Sequence, residues 1–474
     1  MSLRLQEAIK KVKTLEAQEK NLEPVSEISE ATNDIVTQKR PNYKEFKANN
    51  WIKKDNVEIL NELDKKGSAI WLKSDGSLAY RLDKDGQIES AEATKAKIVL
   101  SNILDKNISI FTSKADINPT DLILVQKEIF DPHINAEFFK KAGAYYRNVF
   151  KPTRYMTLTE TPKKDPKLIL DFIYHLVTYD DKYFDYFINW IAYFWQTMIR
   201  PNTAIALKGT QGTGKGIFFE EIIRQLWGLE QTIQINDNIL KSHFLRPIFE
   251  NKLFYNLDEV SQGYKDNKRL KGMLKGLVTN DYILLEEKHK NIKEPIHLKG
   301  AVLVTSNEPK FLEIEAGDRR YTIFSSNKKL IEVNFLVGSY EDLKRRIHQE
   351  LDDFARLLYH YPVDYEKANI VMNTPEKEAL IEATNDKYTL FAHAIKTKNL
   401  DFFSHLKDKL SLTYNEIEQS FKRGEIKRSN LKEWYEKTFG EEVHPKTLLR
   451  ELKTRDIIFS NTKTIKGDVY IIIP

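Results

Sequence analysis

Apolar positions along this chain change period several times, and each change predicts a different kind of element. Leu5, Ile9, Val12 and Leu15 share one face among Lys and Glu, which predicts a short amphipathic helix over 3–22. Residues 23–45 are polar, carry Pro24 and Pro41, and read as a linker. From Asn56 to Gln126 the runs are short and alternating, with Asp75-Gly76 and Asp85-Gly86 ten residues apart, the pattern of hairpins in a small β-rich unit. Residues 134–154, with Tyr145, Tyr146, Arg147 and Asn148, read as a connection into the next part. Between Pro166 and Met198 the stretches LILDFIYHLV and YFDYFINWIAYFWQTM carry helical spacing and predict two or three packed helices. Their dense aromatics fit a bundle core better than a base-stacking surface.

The next block is the most informative. Ile205 to Leu207 read as a buried strand, followed by a glycine-rich turn and by Phe218, Phe219, Ile222, Ile223 and Leu226 at helical spacing, with Gly228 placed to end the helix. Two more apolar runs, Leu253–Leu257 and Ala301–Thr305, predict strands that end in Asp258-Glu259 and in Asn307. Between them lie a helix over Lys268–Val278 and a hairpin, ILLEEKHKNIKEPIHL, whose tip carries Lys288, His289 and Lys290. That tip is either a solvated turn or a contact for a nucleic-acid backbone. Leu343, Ile347, Leu351, Phe354 and Leu358 form one helical stripe within a largely helical 340–400. At the end, a helix capped by Asn430 and closed by Gly440 precedes a second, PKTLLRELK, opened by Pro445. The strands IIFSN and DVYIII around TKTIKG complete a winged-helix pattern. Lys446, Arg450, Lys453, Lys463 and Lys466 are placed for DNA phosphates, although such modules serve equally for protein contacts.

At 474 residues the chain can hold two to four domains. A net charge of +5 announces no nucleic-acid partner by itself, so any basic surface must be local. The absence of cysteine removes disulfides, thiolate metal sites and cysteine nucleophiles together, and fits a cytoplasmic protein. The ten histidines show no zinc-ligand spacing. No signal peptide is evident, and the apolar run Phe187–Ile199 is too short to span a bilayer.

Chemistry enters at Gly209, Thr210, Gln211, Gly212, Thr213, Gly214, Lys215 and Gly216, which fit G-x-x-x-x-G-K with Gly216 where Ser or Thr is usual. Such a loop turns backbone N–H groups and a helix N-terminus toward phosphates, and Lys215 would reach the β- and γ-phosphates. Asp258 can hold Mg²⁺, with Glu259 beside it; Glu259 can polarise an attacking water and Asn307 can sense it, all at carboxyl ends of strands where ligands collect. The order is what gives these weak signals force: 43 residues separate Lys215 from Asp258, and 49 separate Asp258 from Asn307. Arg319, twelve residues beyond Asn307 in Gly317-Asp318-Arg319-Arg320, offers an arginine for the γ-phosphate of a neighbouring subunit or, more plainly, an ion pair with Asp318.

Together these residues resemble the superfamily 3 helicases, compact AAA+ motors of phages, plasmids and DNA viruses. The likeness is greatest to the helicase portion of phage-type primase-helicases and primase-polymerases. GTQGTGKG is similar to their Walker A, FYNLDE to Walker B, ILLEEKHKNIKEP to the DNA-contacting hairpin, VLVTSNEP to the sensor and GDRRY to the arginine finger. The resemblance covers Ala204–Phe324, about a quarter of the chain. It implies an α/β fold with an AAA+ P-loop core and a helical collar, beside the small N-terminal α+β region and the C-terminal winged helix that the patterns above predict. It further implies a homohexameric ring that hydrolyses ATP with Mg²⁺ between subunits and moves along single-stranded DNA. A fused or separate primase or polymerase would be its partner, since residues 1–203 lack convincing nucleotidyl-transferase motifs. In that frame Arg319, or Arg320 in its place, acts in trans.

The divisions this reading predicts are helix and linker (1–45), α+β accessory domain (46–155), collar (156–203), AAA+ core (204–330), helical region (331–405) and winged helix (406–474). Two other classes stand beside it. A P-loop nucleoside-monophosphate kinase shares the loop but not the Asp-Glu, Asn and Arg series. A DNA-binding scaffold with a degenerate ATPase would account for Gly216.

Overall fold

The computed structural model describes residues 39–472 except 48–50, 54–56, 84–87, 113–114, 241–244, 261–267, 286–294, 313, 316, 334–337, 408–409, 456–461 and 466–467. The helix expected over 3–22, the Asp85-Gly86 turn, the tip at Lys288, His289 and Lys290, the IIFSN run and Lys466 lie outside the described residues, as does the side chain of Lys463.

The N-terminal sheet has six strands: β1 (Ala69–Lys73), β2 (Leu78–Arg81), β3 (Glu89–Ala91), β4 (Leu124–Ile129), β5 (Phe138–Lys141) and β6 (Ala144–Asn148), in the order β3-β2-β1-β4-β6-β5. The Asp75-Gly76 turn joins β1 and β2 as expected, with Gly76 at φ +82°. Residues 134–154 are not a connection, because they build the β5–β6 hairpin. Its two-residue turn, Ala142 at φ +47° and Gly143 at φ +83°, is of the type that suits a twisted hairpin. Alanine stands there where Asn or Asp usually marks such a turn, which hid it. The supposed linker is also packed at its end: Arg40 and Tyr43 are buried, and the Arg40 guanidinium lies 4.5 Å from the Trp195 ring.

The helices Lys167–Leu176 and Asp181–Thr197 form as expected, and a left-handed Met198 ends the second. They pack with the long helix Tyr340–His360, whose Leu343, Ile347, Leu351, Phe354 and Leu358 are all buried. Beneath them is a parallel sheet. Its strands are β7 (Ala204–Gly209), β8 (Thr232–Ile235) and β9 (Phe254–Asp258); after the short antiparallel pair β10 (Tyr282–Ile283) and β11 (Ile296–His297) come β12 (Ala301–Ser306) and β13 (Tyr321–Ser326). The order is β13-β7-β12-β9-β8, every neighbour parallel. A parallel sheet covered on both faces needs continuous apolar runs. Alternate residues here divide accordingly: Ile205, Leu207, Leu303 and Phe324 join the helical core, while Ala206, Val302, Val304 and Ile323 join a second core with Leu274 and Leu277. The centre of the chain is therefore α/β.

Near the C-terminus, helices Ser411–Arg423, Asn430–Phe439 and Pro445–Thr454 pack with β14 (Glu425–Lys427), β15 (Thr462–Ile465) and β16 (Asp468–Ile472). Gly440 at φ +68° closes the second helix and Pro445 opens the third, as expected. Asn430 does not cap its helix. It is the first helical residue, and its side chain donates to Glu416. Among the described residues β16 pairs with β14 and with β15, so Thr462–Ile465, expected between the two strands, is itself strand. Among the described residues no helix is long and apolar enough to cross a membrane.

Candidate active site

Three strand ends converge. The loop Gly209–Gly214 leaves β7, Asp258 ends β9, and Asn307 follows β12, which lies between them. The loop needs glycine at specific points: Gly212 and Gly214 sit at φ +90° and +99°, and a Cβ on Gly214 would lie 2.7 Å from the Phe172 ring. Beyond it, helical segments Lys215–Ile217, Phe218–Ile223 and Arg224–Trp227 run on as one helix, the middle one π-type, to Gly228. A Cβ on Gly216 would meet nothing within 4 Å. Gly216→Ser is therefore expected to leave the thermal midpoint within about 1 °C, whereas Gly214→Ala, with both strain and a clash, should cost about 1–3 kcal/mol. Thermal unfolding of the two variants checks this.

The Lys215 ammonium donates to the Gly209 carbonyl (2.8 Å), the Thr210 carbonyl (3.2 Å), Thr213 Oγ1 (3.2 Å) and Asn307 Oδ1 (2.8 Å). Burial pushes its pKa down, and Asp258 and then Glu259 push back. The Asn307 amide in turn donates to Glu259 Oε1, so Lys215, Asn307 and Glu259 form one hydrogen-bonded chain. Glu259 is left-handed at φ +50°, a conformation costing about 1 kcal/mol or more, and its N–H is held by the Thr305 carbonyl at 2.9 Å. Asp258 is fixed on both oxygens, accepting from Thr305 Oγ1 and from Gln234 Nε2, each at 2.6 Å. Those are neutral donors, so the carboxylate keeps its charge for a cation and has lone pairs left.

Some supporting residues escaped the sequence reading. Buried His175 meets the Thr213 carbonyl through Nε2 at 3.1 Å and the Tyr179 hydroxyl through Nδ1 at 3.0 Å; burial lowers its pKa, against the Thr213 carbonyl, which raises it. Gln234 and His175 carry no local signal, since one sits in a short strand and the other in an amphipathic helix. Thr305 could have been noticed as a hydroxyl within an otherwise apolar run.

Arg319 and Arg320 are not brought to this site. They precede β13, level with Ala204 at the opposite end of β7, and five strand residues, about 17 Å, separate that level from Gly209. Arg320 is tied to Asp318 at 2.6 Å, and Asp318 Oδ1 also accepts the Arg320 and Tyr321 N–H groups. Arg319 is exposed and makes no ion pair with a described residue. At the root of the hairpin, Tyr282 stacks on His297 at 4.7 Å. Lys446, Arg450 and Lys453 lie exposed along the helix Pro445–Thr454, with Arg450 paired to Glu451.

A family described as "Family of unknown function (DUF5906)" matches residues 207–320, from the glycine-rich loop to the arginine pair. The chain is 27% identical over 358 residues to the DNA Primase-polymerase of Nitratiruptor phage NrS-1. The alignment takes in 74% of this chain but 46% of that protein, so the chain spans about half the length of this relative. Among solved structures, the apo structure of the NrS-1 C-terminal region superposes with a TM-score of 0.65 at 22% identity, over 89% of this chain and 100% of that one. Its A form apo structure gives 0.64 at 23% identity, with the same coverage. In sequence and in fold, the chain is similar to the C-terminal region of a phage DNA primase-polymerase.

Proposed function

We propose that this chain is the ATP-driven motor part of a phage replication protein, a superfamily 3 AAA+ helicase that works in the cytoplasm as a homohexameric ring on single-stranded DNA. The observation that carries the reading is the hydrogen-bonded chain from Lys215 through Asn307 to Glu259 across three adjacent strand ends. That connection supports reading Lys215 as a phosphate-directed cation, Asn307 as a γ-phosphate sensor and Glu259 as a carboxylate base acting together.

In this reading residues 209–216 bind the triphosphate of ATP and Lys215 neutralises its β- and γ-oxygens. Asp258, with Glu259 beside it, would hold Mg²⁺, which supplies charge neutralisation at the phosphates; one or two carboxylates suffice because phosphate and water complete its shell. Glu259 accepts a proton from the attacking water. Asn307 bridges base and lysine, so a γ-phosphate between them would release Glu259 from its amide partner. An arginine 17 Å or so along the strand cannot serve its own loop, which favours catalysis between subunits, and Arg319 is the one left untied. The winged-helix reading of the C-terminal elements, the DNA-contacting role of Lys288, His289 and Lys290, and a primase or polymerase partner belong to the same proposal.

ATP turnover of the full chain with and without oligothymidylate tests it. Stimulation by DNA, and a loss of about 10²–10³-fold in Lys215→Ala, is the expected result. Phosphate transfer to a nucleoside monophosphate, or no turnover at all, would replace it with the kinase or the scaffold.

A further inference from the structure

We propose that the outer face of the N-terminal sheet is a second single-stranded nucleic-acid site, in which bases stack on Phe139 and Tyr146 and phosphates meet Lys127 and Lys141. Phe139, Tyr146 and Lys127 form one rung across β5, β6 and β4. The two rings stack on each other, centroids 5.6 Å apart and planes within 20°. Phe138, one residue before Phe139, is buried in the N-terminal core, but neither Phe139 nor Tyr146 joins any hydrophobic core and both remain partly exposed. Two residues along the same face, exposed Lys141 pairs with small Ala144, leaving the rings open on that side. On the adjoining rung, Lys140 lies 5.6 Å from the Tyr145 ring.

Aromatic rings outside a core, set among lysines on a sheet, are what a sequence-tolerant single-strand site requires, since every base has a face to stack and a phosphate to neutralise. A second copy of the chain is the poorer occupant, because lysines at 140 and 141 on edge strand β5 oppose strand pairing between like charges. The site lies in a different sheet from Lys215, and its existence does not depend on the motor reading.

The test uses the nucleotide-free full chain and oligothymidylate carrying 5-iododeoxyuridine. Photo-adducts within residues 139–146 are expected. Phe139→Ala with Tyr146→Ala should weaken that adduct and the anisotropy-measured affinity about 10–100-fold, Phe139→Tyr with Tyr146→Phe should restore both, and Lys127→Ala should flatten the salt dependence. DNA-independent ATP turnover should be unchanged in every variant, and hydrogen-exchange protection of β5 and β6 reports that the sheet stays folded. Adducts confined to other residues, or unchanged affinity in the double alanine variant, would overturn the proposal. So would a change in sedimentation alone, which would make the face a protein contact. Adduct formation without any DNA effect on ATP turnover would leave this site standing and remove the motor reading instead.

Discussion

Alanine at Arg319 is expected to lower ATP turnover by about 10³–10⁵-fold while leaving nucleotide binding and thermal stability unchanged. The side chain is exposed and makes no ion pair with a described residue, so its removal should not disturb the fold. The neighbouring substitution should behave in the opposite way. Arg320 neutralises Asp318, whose carboxylate is almost wholly buried, and Arg320→Ala would leave that carboxylate hydrogen-bonded by backbone N–H groups, with the Lys377 ammonium as the remaining nearby positive charge. It should cost about 1.5–3 kcal/mol of stability and a smaller share of turnover, the latter by loosening the loop. The loop is further held by buried Lys377, which donates to the Asp318 carbonyl at 2.6 Å, and by close contact of Gly317 with His393. Turnover and melting of both variants decide between them. Loss of turnover at full stability in Arg320→Ala, with Arg319→Ala active, would exchange their roles.

Glu137→Ala is expected to destabilise the N-terminal sheet by about 3–5 kcal/mol. Glu137 is buried between Arg81 and Arg147, both themselves about 2% exposed, and Arg147 also reaches the exposed Glu128 at 2.8 Å. The three side chains tie β2, β6 and the start of β5 together where the sheet mixes parallel and antiparallel neighbours. Without Glu137, Arg81 loses this counter-ion in a place water does not reach, and the desolvation of its charge is offset less. Hydrogen exchange resolves this better than a single melting curve, because a chain of this size need not unfold in one step. Protection should fall in β1, β2, β5 and β6 and persist in β7, β9 and β12. Protection retained across all of them would show that the triad adds little.

The parts legible in the sequence were those whose chemistry is contiguous. A glycine loop between strand and helix, a carboxylate pair at the end of one apolar run and an asparagine at the end of another each carry their own context, and the structure places all three at one edge of a parallel sheet. The helical stripe of 340–360 was equally plain, because it repeats over many turns. What could not be read depends on distant partners. Gln234 matters only because β8 lies beside β9, and His175 only because its helix lies under the loop. Arg81, Glu137 and Arg147 look like surface charges until the sheet order brings them together. Arg40 sits in a polar, proline-flanked stretch, and its burial is offset largely by distant groups, the Trp195 and Tyr359 rings and the Met156 carbonyl, beside the nearby Tyr43 ring; burial lowers its pKa to about 10. The β5–β6 turn was missed for a local reason, alanine in a left-handed position.

Whether catalysis is shared between subunits is the central claim, and mixing two inactive variants tests it most directly. Lys215→Ala spoils the loop but keeps Arg319, while Arg319→Ala keeps the loop. Turnover should be absent in each alone, return in part when they are mixed with oligothymidylate, and rise with protein concentration. A mixture as inactive as its components, beside an unmodified chain whose turnover per molecule does not change with concentration, would contradict the account.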